Sequence, residues 1–328
     1  MKQISRNGAL LRVKDEEGRI GYADVCPFSE MGDHPLDLEL KKISTMKPTA
    51  LGRKSLIFAC SDAIARSLKQ SSYEVSIKLK NHFLICDVMQ FDLSRTEKLK
   101  AEGYSEFKIK IGSDLERETI QVEKLLNRLS LKNKLRLDFN GKLSRDQFVE
   151  WFEKNQNWLR SSLEFIEDPF AYDAKSWSTL SDSMGVHFAL DLEARTTDVE
   201  NPEATLGAIL EEGAIGAKVI VVKPAIQNED RIFELFNNSS KKFVFTHYMD
   251  FPVGQLCAHL AAQKFMKKLT LNNCSDQMLS CGLQYHDSYD GVVAQSFIQN
   301  DGQYIIPPTG YGFGFDKFLE NQTWTSLK

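Results

Sequence analysis

Five apolar segments between residues 107 and 223 each end or continue in a charged group that a buried strand does not ordinarily carry. They are FKIKI with Lys108 and Lys110, LRLDFNG with Asp138 and Asn140, LEFIEDP with Glu167, HFALDLEA with Asp191 and Glu193, and AKVIVVKP with Lys223. Side chains alternate along a strand, so Lys108 and Lys110 share one face, as do Asp191 and Glu193. A charge on such a face must be functional, paired or solvated. One such residue reads as a salt bridge; five segments in succession read as a site.

From about residue 82 the chain alternates short apolar runs (HFLICDV, EFKIKI, KLRLDF, LEFIED, VHFALD, AKVIVV, KFVFTH, DQMLSC) with amphipathic stretches such as DLERETIQVEKLLNRL, SRDQFVEWFEKNQNWL and NEDRIFELFNN. Strand and helix in alternation imply parallel pairing with right-handed crossovers, and eight such strands close into a barrel. The competing doubly wound sheet lacks a Gly-rich phosphate loop after the first strand. The expected class is α/β, with a (β/α) barrel over residues 81–300. Before it, GALLRV and RIGYADV joined by KDEEG read as a hairpin, and LDLELKKI and SLIFACSDAIARSL as helices, giving an α+β capping domain over 1–80. The Gly- and Pro-rich QYIIPPTGYGFGFDKFLE is expected to fold back and complete that cap with about residues 300–328. Its GYGFG has neither the preceding buried strand nor the following helix of a nucleotide loop.

Composition narrows the function classes. A net charge of −4 with no long basic stripe gives no reason to expect nucleic acid. No apolar run approaches the roughly 18 residues that span a bilayer, and MKQISRNGALLRV lacks a signal-peptide core, so a cytoplasmic enzyme without a membrane partner is expected. KFMKK at 264–268 reads as a solvated helix end. Six scattered cysteines with no C-x-x-C pair suggest reduced thiols and no zinc. Trp151, Trp158 and Trp177 fall in helical stretches and read as packing residues.

In a barrel the charged face is the interior, and the C-terminal strand ends form the mouth. Hard oxygen donors there suit Mg²⁺, or a similar divalent cation such as Mn²⁺, with room for a substrate carboxylate; Asp138, Glu167 and Asp191 are the candidate ligands. Such a site makes a proton α to a carboxylate removable by stabilising the enediolate that forms. Lys110 is the candidate base. A lysine must lose a proton to act so, against a reference pKa of about 10.4, and neighbouring cations such as Lys108 and Lys223 favour that loss. In this reading Lys108 tunes and Lys110 transfers the proton.

The series K-x-K, L-R-x-D-x-N, E-[ED]-P, A-x-D and V-x-K-P, with the early GYADVCPF and the closing PPTGYGFGFD, resembles the enolase superfamily over nearly the whole chain. Lysine with Mg²⁺ is the known pattern of those sites. The resemblance implies an enolase-type barrel with an α+β cap, Lys110 as acid/base, Lys223 as a cation over the intermediate, and metal ligation by Asp138, Glu167 and Asp191. It implies substrate-binding roles for Arg136, an assisting arginine, and for Thr246 and Gly282. Within the superfamily the chain is most similar to the branch that dehydrates 2-succinyl-6-hydroxy-2,4-cyclohexadiene-1-carboxylate in menaquinone synthesis. Pro224 without a following Gly pair, and the absence of D-x-D from DQMLSCGLQYHD, favour that branch over N-acylamino acid racemases and dipeptide epimerases. An aldolase using Lys223 leaves the carboxylates unexplained, and a silent binding barrel leaves the lysines unexplained. Three departures stand out: Glu193 is a further candidate for the third ligand role, THYMDFPVG replaces the usual serine-rich segment, and the opening starts about one strand late, implying a reduced cap. His247 reads as a hydrogen-bonded structural group.

Overall fold

The opening hairpin forms where the turn chemistry places it. In the computed structural model, which describes residues 6–129, 132–191, 208–248, 250–284 and 299–327, β1 (Ala9–Lys14) pairs antiparallel with β2 (Ile20–Val25). Asp15 closes the turn by accepting the Glu17 and Arg19 main-chain N–H groups, and Gly18 supplies the positive φ. Helices α1 (Leu36–Ser44) and α2 (Ala50–Ser67) complete this layer. Strand and helix meet so closely that a Cβ at Gly21 would lie 2.0 Å from the Ala59 carbonyl oxygen; only glycine fits there.

The carboxylate of Asp62, wholly buried on α2, ties the two ends of the chain together. It accepts the main-chain N–H of Tyr22 at 2.9 Å and of Phe313 at 2.7 Å, and pairs with Arg66 at 2.6 Å. Arg66 in turn reaches Asp316 at 2.5 Å, which docks the glycine-rich tail and the short helix Asp316–Glu320 on the N-terminal layer. Leu11, Val25, Ile43 and Leu51 pack with Ile226 and Tyr248 of the barrel, and Lys54 pairs with Glu229 across the same junction.

The barrel follows from period-2 alternation in the apolar runs. β3 (Phe83–Ile85), β4 (Glu106–Lys110), β5 (Lys134–Asp138), β6 (Leu163–Glu167), β7 (Phe188–Leu190), β8 (Ala217–Val222) and β9 (Lys242–Phe245) pair in parallel in chain order. The ring closes through residues 278–282. Leu279 and Gly282 donate to the Phe243 and Phe245 carbonyls, and on the other side Cys281 donates to Lys80 while His82 donates to Cys281. This eighth position is not the regular strand expected from DQMLSC. Residues Ser275–Gln277 form a 3-10 turn whose main chain bonds back to Cys274, so ladder bonding starts only at Leu279.

The helices between strands are stopped and started by side chains. After α3 (Arg95–Ala101), α4 (Leu115–Leu126) is capped by Asp114, α5 (Arg145–Leu159) by a Ser144–Gln147 capping box, and α6 (Ala174–Met184) by Asp173, with Gly185 left-handed at its end. α7 (Ala208–Glu211), α8 (Glu229–Phe236, capped by Asn228) and α9 (Pro252–Leu271, proline in its first turn) follow. One set of strand residues, including Phe107, Ile109, Leu137 and Phe188, packs outward with Phe148, Phe152 and Trp177 of the helices. The alternate set, Phe165, Ala189, Val219, Val221 and Val244, fills the barrel. Each large side chain so buried contributes roughly 1.5–3 kcal/mol. Trp151 and Trp158 also join the helix-layer packing, all six cysteines are free, and no described helix is long and apolar enough to cross a membrane.

Removing the Asp62 carboxylate leaves two buried N–H groups and the Arg66 guanidinium without their acceptor. Asp62→Ala is expected to cost about 3 kcal/mol, read as a lowered denaturation midpoint, with the tail becoming protease-sensitive first.

Candidate active site

Register decides which side chains meet. Lys108 lies opposite Arg136, Lys110 opposite Asp138, and Asp138 opposite Glu167, so these residues share the inward face near the C-terminal ends of β4, β5 and β6. Asp191 follows directly on β7 and Lys223 on β8. The lysines thus sit at the second and sixth positions of an eight-membered ring, on opposite sides of the mouth. The acids occupy the third, fourth and fifth positions between them.

Lys108 is buried with its ammonium 2.6 Å from Glu167 Oε1 and 3.0 Å from Asp138 Oδ2. Burial opposes its charge, but Asp138, Glu167 and Asp191 outweigh that and push its pKa above the ordinary lysine range. Glu167 moves the other way from a normal acid: burial, then repulsion from Asp138, raises it to about 7 against the pull of Lys108. The Lys223 ammonium pairs with Asp191 Oδ1, and its main-chain N–H donates to Gln227 at 2.6 Å. Lys110 is half-buried, and among the described residues no hydrogen bond or ion pair engages its ammonium. Glu193 lies outside the described residues.

Asp168 was not singled out in the sequence, although the E-D-P triplet displays it. It is buried, has a φ of 40°, and its Oδ1 accepts the Asp191 main-chain N–H at 3.1 Å. Burial and the nearby Asp191 raise its pKa well above the usual carboxylate range. Asp168 therefore fixes the backbone of a neighbouring acid. Asn140 acts likewise on Asp138, donating its main-chain N–H to Oδ1 at 3.0 Å from a left-handed conformation.

Arg136 lies one layer below and is wholly buried. Its guanidinium donates to Glu164 at 2.6 Å, to His82 Nδ1 at 2.7 Å and to the Ser280 carbonyl at 2.6 Å, and stacks 4.9 Å from the Phe165 ring centre. His82 had not been read as part of this site; it is 54 residues away from Arg136 in sequence, and no motif links the two. Thr246 bridges to Gly282 through its main chain, with its hydroxyl buried and unpartnered. A Cβ at Gly282 would meet the His82 ring at 2.9 Å, so the missing side chain makes room for the imidazole. His247 Nε2 lies 3.2 Å from the Gln284 carbonyl, a hydrogen-bonded placement.

The donor set suits a hard divalent cation. Among the described residues no three acid, histidine or cysteine side chains already converge as a metal-holding group; the Lys108 ammonium lies between two of the acids. Four buried acids (Asp138, Glu167, Asp168 and Asp191) nevertheless face two buried ammonium groups, and Glu167 Oε2 is buried without a partner. Carboxylate oxygens with uncompensated charge are what Mg²⁺ binds.

The arrangement is a barrel with lysines on opposite sides of an acidic mouth. Residues 92–209 match the family described as enolase C-terminal domain-like, and residues 1–65 match the o-succinylbenzoate synthase N-terminal domain. The chain is 29% identical to an o-succinylbenzoate synthase of Bdellovibrio bacteriovorus over 99% of its own length and 92% of that protein. Its fold superposes on a dipeptide epimerase from Enterococcus faecalis V583 with a TM-score of 0.70 at 14% identity, covering 94% of this chain and 93% of that one. It also superposes on the o-succinylbenzoate synthase from Thermosynechococcus elongatus BP-1, complexed with Mg in the active site, with a TM-score of 0.61 at 20% identity, covering 81% and 82%. In the domain models it matches and in its fold this chain resembles the enolase superfamily, and in sequence it is similar to the o-succinylbenzoate synthases.

Lys108→Met keeps much of the side chain's bulk and removes its charge, leaving Asp138 and Glu167 buried without their cation. In strong chelator the variant is expected to lose about 3 kcal/mol of stability by denaturant titration. An unchanged midpoint would show that the pair is not the counterion of this cluster.

Proposed function

We propose that this chain is an o-succinylbenzoate synthase, removing water from 2-succinyl-6-hydroxy-2,4-cyclohexadiene-1-carboxylate in menaquinone biosynthesis. Asp138, Glu167 and Asp191 would hold Mg²⁺, with Mn²⁺ as a substitute. The observation that carries the reading is the opposition of Lys110 and Lys223 across a mouth lined by carboxylates. The residues to about 80 and those from about 300 serve as the cap, and residues 81–300 as the catalytic barrel.

The bound cation supplies electrostatic stabilisation of the negative charge that builds on a substrate carboxylate when the adjacent C–H bond breaks. Lys110, as the neutral amine, takes the α-proton at its Nζ. Its ammonium then returns that proton to the hydroxyl departing from the neighbouring ring carbon, so water leaves and the ring becomes aromatic. Base and acid are one side chain, which requires the C–H and C–O bonds to lie on the same face. Lys223 stands across the mouth and contributes a fixed positive charge. Lys108 pairs with Asp138 and Glu167, two of the acids that would hold the cation, and would balance part of their charge. The Thr246 hydroxyl is buried without a partner and would be available to a substrate.

A second reading, α-proton transfer without loss of water, uses the same two lysines and has support in the epimerase likeness of the fold. Against it, the described mouth end of the eighth position reads Cys281, Gly282, Leu283 and Gln284, with no acid pair to hold an α-ammonium.

Ultraviolet detection of o-succinylbenzoate formation, with Mg²⁺ and with strong chelator, tests the proposal directly; turnover that chelator leaves untouched removes the metal from it. Lys110→Ala is expected to lower kcat by about 10³-fold or more while leaving the thermal midpoint within a few degrees. Dehydration should exceed racemisation of N-succinyl amino acids by at least about a hundredfold in kcat/KM, roughly 2.7 kcal/mol of transition-state discrimination. Racemisation alone would move the chain to the second reading.

A further inference from the structure

Two buried groups of opposite charge stand in neighbouring layers of the barrel and do not meet. Arg136 Nη2 has no hydrogen-bond partner, and neither has Glu167 Oε2. Arg136 precedes Asp138 by two residues on the same inward face, about 6.6 Å along the strand, and its strand is paired with that of Glu167. A guanidinium matches a carboxylate in two parallel hydrogen bonds better than any other side chain. Left to itself, Arg136 would rise onto Asp138 or Glu167 and occupy the oxygens that a divalent cation needs. Three contacts hold it down: Glu164 Oε2, the Ser280 carbonyl and His82 Nδ1.

Of the three, His82 is the one whose geometry is built for the purpose. Its main-chain N–H bonds to the Cys281 carbonyl, where the ring closes, and its ring edge occupies the space that a side chain at Gly282 would fill. Burial first, then Arg136 and Lys108, push its pKa well below the ordinary histidine value, so the ring is neutral and Nδ1 can accept from Arg136. The remaining proton is then on Nε2.

We propose that His82 is a positioning residue that anchors the Arg136 guanidinium to the barrel floor and so keeps the acids above it open to the divalent cation. This rests on the metal site assigned under the proposed function. It adds that the site's affinity depends on a histidine that touches neither metal nor substrate. Asn at this position retains an acceptor near Nδ1; Phe and Leu retain apolar bulk and offer none.

Mn²⁺ titration of the full chain, read by the electron paramagnetic resonance of the free aqueous ion, separates the alternatives. His82→Phe should weaken Mn²⁺ binding at least tenfold, and His82→Asn should stay within threefold of the wild type. His82→Leu serves in the same role if the Phe variant does not fold. Equal affinity in the apolar variant, or equal weakening in the apolar and Asn variants, overturns the proposal while leaving the metal site standing. No Mn²⁺ binding by the wild type overturns both. Nitrogen-15 spectra of the imidazoles in the wild type at pH 7.5 provide a readout without metal. A neutral ring protonated at Nε2 is expected, and a proton on Nδ1 refutes the anchor.

Discussion

Buried negative charge at the mouth of the barrel is the constraint to which the rest of the structure answers. Asp138, Glu167, Asp168 and Asp191 are each at most a tenth exposed, and two ammonium groups stand against them. Unit charges 4 Å apart interact by about 4 kcal/mol even at an effective dielectric constant of 20. Such a cluster persists only where each carboxylate is held by something it cannot leave. Register provides that: each acid ends a strand or directly follows one, and the strands are locked by a closed hydrogen-bond ring and by an apolar layer on the outside. Main-chain donors add the finer control, Asn140 on Asp138 and Asp191 on Asp168.

The same constraint made much of the protein legible in its sequence. An apolar strand that tolerates Lys108 and Lys110 on one face, or Asp191 at its end, contradicts its own burial unless the face looks into a shared polar site. That contradiction, repeated along the chain, is what marks these strand ends in the sequence. The hairpin and the helices were legible for simpler reasons, turn residues and caps. What stayed hidden depends on contacts between distant parts of the chain. The eighth position is held by single main-chain bonds, and its first residues turn back on Cys274, which no periodicity signals. Asp168 was visible as a letter but not as a partner of the Asp191 backbone. His82 was invisible as part of the site because its meaning lies wholly in Arg136 and Gly282, brought alongside by ring closure.

Cap and barrel are joined by two kinds of contact with different demands. The apolar cluster around Ile226 and Tyr248 is non-directional and tolerates small shifts. The Lys54–Glu229 pair and the Arg6 side chain, which donates to the Tyr248 and Pro27 carbonyls, fix orientation. Ile226 lies three residues after Lys223, and Tyr248 two after Thr246, so the cap rests on the segments that leave β8 and β9 at the mouth. The cap thus packs on backbone that is continuous with residues facing the site.

The arrangement also explains why a barrel of this kind does not by itself choose a reaction. On the proposed reading, lysines at the second and sixth ring positions face opposite sides of a substrate bound between them, so each would exchange a proton with one face of an α-carbon. With a substrate that has no leaving group, a proton taken on one side and delivered on the other inverts the centre. With a hydroxyl on the adjacent carbon and an aromatic ring to be gained, the proton returns on the side it left, and the opposite lysine serves only as charge. The difference between the two outcomes therefore lies in the bonds of the substrate and in the groups that orient it.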